Sequence, residues 1–308
     1  MIEYRDPQGS DAWHAARRGV ITASRAKDAR SRSDGLEKRQ RVYVDAMLSG
    51  KGEAEALRLS GYKKPPTSDL VKRALAGETL PLVWSDAAIA YAQDTARDRV
   101  GAGRPVNKFE GFAQRTGHEE EPFAAIAWIA ETGKDVEEVG FITSDDGIFG
   151  VSLDRRVVGE SRAIEIKAMV SSATLFKAVV DGDISEYRDQ CLFAMWLLGL
   201  ESVDLCLWAP DLPKPLHVVT IQRDEQEIQA LEDDMLAFRA LVDEYEAKLR
   251  AKLGLSAMSA IGGAPATTAD DPKPAALPPR PSLPPRAAAP VTAARPAPTA
   301  PRLEDLTF

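Results

Sequence analysis

The sequence predicts an α/β fold, a central mixed β-sheet flanked by helices, and three of its features lead there. Short runs rich in β-branched residues recur at 139–143, 151–158, 163–167, 203–208 and 216–221. Apolar residues at helical spacing occupy 86–100, 109–132, much of 174–199 and 223–252. Gly, Asp-Gly and Pro mark the boundaries, and the two kinds of run are interleaved along the chain. The organising stretch is 149–167, FGVSLDRRVVGESRAIEIK, two extended runs joined by a Gly-Glu-Ser-Arg turn. Side chains on a strand alternate between faces, so Ile164 and Ile166 point one way and Glu165 and Lys167 the other. On the first run Ser152, Asp154 and Arg156 share a face opposite Val151, Leu153 and Val157. A hairpin of these runs brings Asp154, Glu165 and Lys167 together on one side of a sheet whose other side is core.

Converging carboxylates suit a hard cation such as Mg²⁺, which takes oxygen ligands from one or two carboxylates and from substrate phosphate. A neighbouring lysine orients or deprotonates an attacking water and offsets charge on the phosphate. The bare spacing also fits an exposed, ion-paired hairpin, so the rest of the chain decides between the two.

The 308 residues suffice for one large or two modest domains, with a composition that is globular over most of the length. Cys191 and Cys206 sit in apolar runs without metal-type spacing and read as reduced core thiols of a cytosolic protein. No apolar run approaches the ~18 residues of a membrane span, and the N-terminus lacks a signal-peptide core. The net charge of −8 argues against a protein basic all over, yet a local cationic groove coexists readily with an acidic exterior. His14, His118 and His217 lie far apart and nothing points to a Ser–His–Asp device.

In chain order, Ser10 or Asp11 caps a short helix that Gly19 ends, and Thr22 or Ser24 caps the next. Arg17 and Arg18 beside that cap form either an anion site or a solvated arginine pair. Residues 36–77 read as two or three short helices with tight Gly turns, stopped by Pro65-Pro66. This part is either a phosphate-contacting helix-turn-helix or a helical spacer packed on the core. A further helix follows at 86–100. In the 109–132 helix, Glu119, Glu120 and Glu121 stand in a row, but Glu121 alone shares a face with Ala113, Gly117, Ala124 and Trp128. A carboxylate on that stripe needs a partner, whereas Glu119 and Glu120 are expected in solvent. Pro122 either kinks this helix or marks its start. Asp145-Asp146-Gly147 is a turn. Tyr187, Gln190, Ala194 and Leu198 share one face of the 174–199 helix, positioned to cover the metal site or to fill the core. From about residue 258 the chain turns to Pro and Ala and is expected to be a disordered, extended tail.

Five ordered motifs carry a resemblance: DAWHAARRGVITAS, Gly117 to Glu121 (G-x-x-x-E), Gly150 to Asp154 (G-x-S-x-D), Glu165-Ile166-Lys167 (E-x-K) and Tyr187-Arg188-Asp189-Gln190 (Y-x-x-Q). Over roughly 10–29 and 108–252 the chain resembles phage lambda exonuclease and the wider YqaJ-type viral recombinase nucleases, within the PD-(D/E)xK superfamily. The resemblance implies a restriction-endonuclease-like core built from 1–29 and 108–255, a helical insertion at 30–107 and a tail at 256–308. It implies an Mg²⁺-dependent 5′–3′ exonuclease on double-stranded DNA ends, with Mn²⁺ able to replace Mg²⁺, that leaves 3′ single strands for an annealing recombinase. It assigns Asp154, Glu165, the Ile166 carbonyl and Glu121 to the metal and Lys167 to the water. Gln190 and Tyr187 fall to the scissile strand, and Arg17, Ser24 and Ser152 to a 5′-phosphate. A further phosphate-holding arginine of the family falls near Ala173 here, where Lys177 is the nearest substitute. A trimeric ring and a cytoplasmic phage or prophage protein of a bacterial host are also implied. Residues 43–62, YVDAMLSGKGEAEALRLSGY, resemble the DNA-binding fold of phage terminase small subunits, and the tip 303–308 resembles peptides that single-strand-binding proteins offer to partners. The alternatives are a non-catalytic DNA-binding or packaging adaptor and a site-specific endonuclease on the same fold.

Overall fold

The computed structural model describes residues 1–101 and 112–255; the expected tail at 256–308 and the first residues of the 109–132 helix lie outside them. The chain begins with β1 (Ile2–Tyr4), α1 (Asp11–Ala16), β2 (Ile21–Thr22), a 3₁₀ turn at Ala23–Arg25, α2 (Ala26–Arg30) and β3 (Arg32–Ser33). Next come α3 (Lys38–Leu48), α4 (Glu53–Ser60), α5 (Asp69–Leu75), β4 (Val83–Trp84) and α6 (Asp86–Val100). The remainder holds α7 (Phe112–Thr132), β5 (Val136–Glu137), β6 (Phe141–Thr143), β7 (Phe149–Ser152), β8 (Arg155–Val157), β9 (Arg162–Ala168), α8 (Ser172–Leu175), a π turn at Phe176–Val180, α9 (Ser185–Leu198), β10 (Ser202–Trp208), β11 (Leu216–Gln222) and α10 (Glu225–Lys252).

Two mixed sheets carry the core. One has the order β11-β10-β9-β8-β5, with β9 and β10 parallel and its other pairs antiparallel. The other has the order β1-β6-β7-β2, with β2 parallel to β7. The expected 151–158 strand is therefore split between two strands in two sheets, broken at Leu153-Asp154, and this break corrects the reading in which Ser152, Asp154 and Arg156 share a face. The hairpin itself forms, with Arg155 opposite Ile164 and Arg156 opposite Ala163. Strand β9 is central, so both of its faces are covered, not one as expected. Ile164 and Ile166 pack against Ala124 and Trp128 of α7, while Ala163 joins the α9 side of the core.

Gly150 has a steric reason to be glycine. A Cβ there would stand 2.3 Å from Phe141 Cζ and 2.9 Å from Val20 Cγ1, so β7 fits between β6 and β2 only without one. Helix α7 runs through Pro122 without ending. Of the expected N-terminal caps, Ser10 does cap α1, accepting from Trp13 N, but Thr22 makes no side-chain cap bond. Among the described residues, no helix is long and apolar enough to cross a membrane.

Helix α10 closes the fold. Ile228, Leu231, Met235, Phe238 and Val242 recur at three- and four-residue steps and are all buried. Asp224 caps the helix, accepting from Gln226 N and Glu227 N at 2.8 and 3.1 Å. Phe238 is fully buried, its ring 5.0 Å from that of Tyr91 and 5.8 Å from that of Trp84. Phe238→Ala leaves a cavity at this junction and lowers unfolding free energy by about 3–5 kcal/mol in chemical denaturation; a loss below ~1 kcal/mol would show that the junction collapses to fill it.

Candidate active site

The site is set by where β8 begins. Its ladder with β9 reaches back no further than the Arg155–Ile164 pair, and one more step of that register would place Asp154 opposite Glu165. With the ladder ended there, the Ile166 N–H has no cross-strand partner on β8, and Asp154 Oδ2 accepts it at 2.6 Å. This bond brings the first carboxylate to the central strand.

Glu165 and Lys167, two residues apart, lie on the same face of β9 as expected, and Lys167 Nζ stands 2.6 Å from Glu165 Oε1. Gln190 Nε2 of α9 donates to the same oxygen at 2.5 Å. One helical turn back, the Tyr187 ring centroid is 5.9 Å from Lys167 Nζ. Gln190 and Tyr187 thus reach the site together, as their shared helix face requires. Glu121 comes from α7 and is held by Arg155, whose Nη1 donates to its Oε1 at 2.5 Å. The same nitrogen bonds the Asp154 carbonyl, so one guanidinium ties α7 to the strand break.

The electrostatics follow from crowding three acids away from water. Burial lifts the Glu165 carboxyl to about 7, and the negative charges of Asp154 and Glu121 add to the lift against the pull of Lys167. Burial likewise raises Asp154, opposed by Lys167 and by the Ile166 N–H. It raises Glu121 too, with Asp154 adding to the shift and Arg155 opposing it. For Lys167, burial alone favours the neutral amine, but Glu165 and Asp154 outweigh it and the ammonium is held more tightly than usual. A cleft of about 450 Å³ opens beside Glu121 and Asp154, with Arg5, His118, Arg155 and Arg156 in its wall.

Arg17, Ser24 and Ser152 also meet. Arg17 Nη1 donates to Ser152 Oγ at 3.1 Å and Nη2 to Ser24 Oγ at 3.2 Å. The guanidinium lies 4.3 Å from the Trp13 ring centroid and 5.1 Å from that of Phe141. Burial lowers its pKa to about 10, and among the described residues no carboxylate pairs with it to offset this. Ser152 ends β7 two residues before Asp154, so this group and the acidic cluster are joined by one short stretch of chain.

Other expectations come out differently. Glu120 is not simply solvated, because its Oε2 accepts from the Trp208 indole at 2.8 Å. Lys177 pairs with Asp183 at 3.5 Å. The 145–147 turn is as expected, with Asp146 accepting from Ser144 Oγ and Ile148 N. Arg155 is the residue that sequence reasoning missed; the signal was Glu121 itself, a carboxylate on an apolar stripe that required a cation.

The donor set suits Mg²⁺ in kind: three carboxylates raised by burial, Glu121 and Glu165 also by neighbouring negative charge, are hard oxygen ligands. Among the described residues, no three His, Cys, Asp or Glu side chains are already gathered as a metal cage. Lys167, Arg155 and the Ile166 N–H occupy the carboxylate oxygens instead.

Comparison with known proteins places the chain. No curated protein matches its sequence. Among solved structures, it is similar to an alkaline exonuclease (LHK-Exo) from Laribacter hongkongensis, with TM-score 0.56 and 23% identity over 80% of this chain and 98% of that one. It is also similar to LHK-Exo in complex with dAMP, with TM-score 0.54, 24% identity and the same coverages. These likenesses establish the shared fold, the mixed α/β core expected above. The pattern of the YqaJ-like viral recombinase domain matches residues 12–201. That span is more than half of the chain, and the protein belongs to the YqaJ-like viral recombinase family.

Proposed function

We propose that the protein is an Mg²⁺-dependent exonuclease on double-stranded DNA ends. It digests the 5′-ended strand and leaves a 3′ single strand for an annealing recombinase, inside the bacterial host of a phage or prophage. The observation that carries this reading is the meeting of Asp154, Glu165 and Lys167 at the strand break, with Glu121 tied in by Arg155. Membership of the family supports it.

In this reading Asp154, Glu165, Glu121 and the Ile166 carbonyl hold Mg²⁺, with Mn²⁺ able to take its place. The bound ion would stabilise the attacking and leaving oxygens of an in-line displacement at phosphorus. Lys167, held as the ammonium, donates to the attacking water or to a phosphate oxygen. Gln190 fixes the Glu165 carboxylate, and Tyr187 covers Lys167 and steadies the scissile strand. Arg17, already desolvated and held by two hydroxyls, takes a 5′-phosphate in a bidentate grip together with Ser24 and Ser152. A homo-oligomer, a trimer by family resemblance, completes the proposal.

Digestion of end-labelled linear duplexes, with and without a 5′-phosphate, tests activity, direction and end preference together. Asp154→Ala, Glu165→Ala and Lys167→Ala each lower the rate by at least about 10³-fold with Mg²⁺ present, while the fold is kept. Folding survives loss of Lys167 because Glu165 takes up a proton instead of staying charged and unpaired. Wild-type rates in the Lys167→Ala protein contradict the reading, and cutting of closed circular DNA favours an endonuclease. A second expectation concerns pH. Glu165 carries a proton below about 7 and must release it to ligate a metal, so Mg²⁺ affinity rises with pH. Between pH 6 and 8 the Mg²⁺ concentration for half-maximal rate falls about tenfold, and Glu165→Gln binds Mg²⁺ weakly with no such dependence. A pH-independent requirement in the wild type sinks the ligand assignment of Glu165.

A further inference from the structure

The helices α3, α4 and α5 build a unit of their own. Tyr43, Val44, Ala46, Ala56, Val71 and Ala74 form a core cluster separate from the two clusters of the sheets. The chain leaves the main body at β3 and returns at β4, and these strands pair with each other, Arg32 with Trp84 and Ser33 with Val83. The two ends of the excursion are therefore side by side, and the unit is mounted on a two-stranded stalk. The stalk is fixed where the Arg32 guanidinium lies over the Trp84 ring at 3.1 Å and Trp84 packs edge-on to Phe238 of α10.

Its charge sets it apart. Residues 34–82 hold nine Lys and Arg against seven Asp and Glu, a net of +2, which leaves −10 for the rest of a chain of −8. Several of these cations are neutralised locally: Lys51 and Arg58 by Glu55, Arg41 by Asp34, and Arg73 by Glu78. Lys38, Lys63, Lys64 and Lys72 are exposed and have no carboxylate partner among the described residues. Three of them are brought to one end of the unit, and Lys72 stands one turn into α5 from that end. Arg39 Nε donates to the Ser60 carbonyl at 3.0 Å, and its guanidinium lies 4.3 Å from the Tyr62 ring centroid. Gln40 Nε2 donates to Ser68 Oγ at 3.3 Å. The start of α3, the segment after α4 and the start of α5 thus adjoin, with Lys38, Lys63 and Lys64 at their junction. Tyr62 under Arg39 and the two prolines after Lys64 keep that segment from adapting freely. Two exposed acids, Glu37 and Asp69, share the junction, where the Glu37 N–H donates to Gln40 Oε1 at 3.0 Å.

We propose that this end of the 34–82 unit is a second duplex DNA contact surface, which grips the sugar–phosphate backbone through Lys38, Lys63, Lys64 and Lys72 and takes no part in cleavage. Lysines at this density on a fixed frame match a polyanion of regular charge spacing. The choice of duplex DNA over an acidic protein rests on the nuclease reading above. The surface gives the enzyme a hold on the duplex away from the end being digested.

The test uses the full chain with EDTA present and a duplex of about 30 base pairs closed by hairpins at both ends, so that neither a free end nor cleavage contributes. Binding is followed by fluorescence anisotropy against salt concentration. The Lys38→Glu/Lys63→Glu/Lys64→Glu/Lys72→Glu variant binds at least about tenfold more weakly, with a log–log salt slope shallower by about 0.9 for each phosphate it no longer neutralises. Its melting temperature stays as in the wild type, and if charge reversal impairs folding, the Lys→Gln counterpart shows the same direction of change. Unchanged affinity and slope in a folded variant overturn the proposal and leave an acidic protein as the remaining partner. Asp154→Ala protein keeps the binding, so a failure of the nuclease reading (wild type inert on linear duplex) is seen separately from a failure of this surface.

Discussion

The structure depends on one costly arrangement: a glutamate on the central strand, 5% exposed, with a second carboxylate seated beside it at the Ile166 N–H. Acids crowded together away from water repel, and burial penalises the charge on both. The protein offsets this with one lysine on the same strand face, one backbone N–H and one guanidinium. Gln190 adds a neutral donor to Glu165, and the cluster is left with three acids against two cations in direct contact. A fold shaped by stability alone would place apolar residues here, since replacing buried charge by apolar packing is often neutral or stabilising.

The surrounding architecture serves that point. Gly150 lets β7 pass between Phe141 and Val20, and the chain then changes sheets at Leu153-Asp154. Because β8 starts only at Arg155, a backbone donor on β9 is left unmatched, and that donor is what seats Asp154. Helix α9 delivers Gln190 and Tyr187 from one side of the strand, and α7 delivers Glu121 from the other. The Arg17 group is mounted on the last residue of β7, so its distance from the acids is fixed by backbone geometry. The acidic cluster and the Arg17 group are thus tied to one short piece of chain.

Much of this was legible in the sequence. Strict alternation in Ala-Ile-Glu-Ile-Lys placed Glu165 and Lys167 on one face, and helical spacing singled out Glu121 among three adjacent glutamates. Helix α6 follows its expected bounds, 86–100, because Ser85 gives a cap and Gly101 a stop. The strand break was not legible, because Val-Ser-Leu-Asp-Arg-Arg-Val-Val alternates well enough to read as one strand, and changing sheets leaves no composition signal. Arg155 was missed for the same reason, since on an unbroken strand it faces away from Asp154. The bond from Trp208 to Glu120 joins residues far apart in sequence, and no local pattern encodes it. The charge of the 34–82 unit was visible throughout, but its stalk, and hence its separateness, needed the β3–β4 pairing.

The crowding of Asp154 and Glu121 about the buried Glu165, and the proposed Mg²⁺ site with it, is tested most directly by following the Glu165 carboxyl carbon by NMR as a function of pH, assigned by its loss in Glu165→Gln. Without metal it is expected to titrate near 7, and saturating Mg²⁺ is expected to remove the titration step from the neutral range. Titration at the ordinary glutamate value of 4.5, indifferent to Mg²⁺, would contradict it.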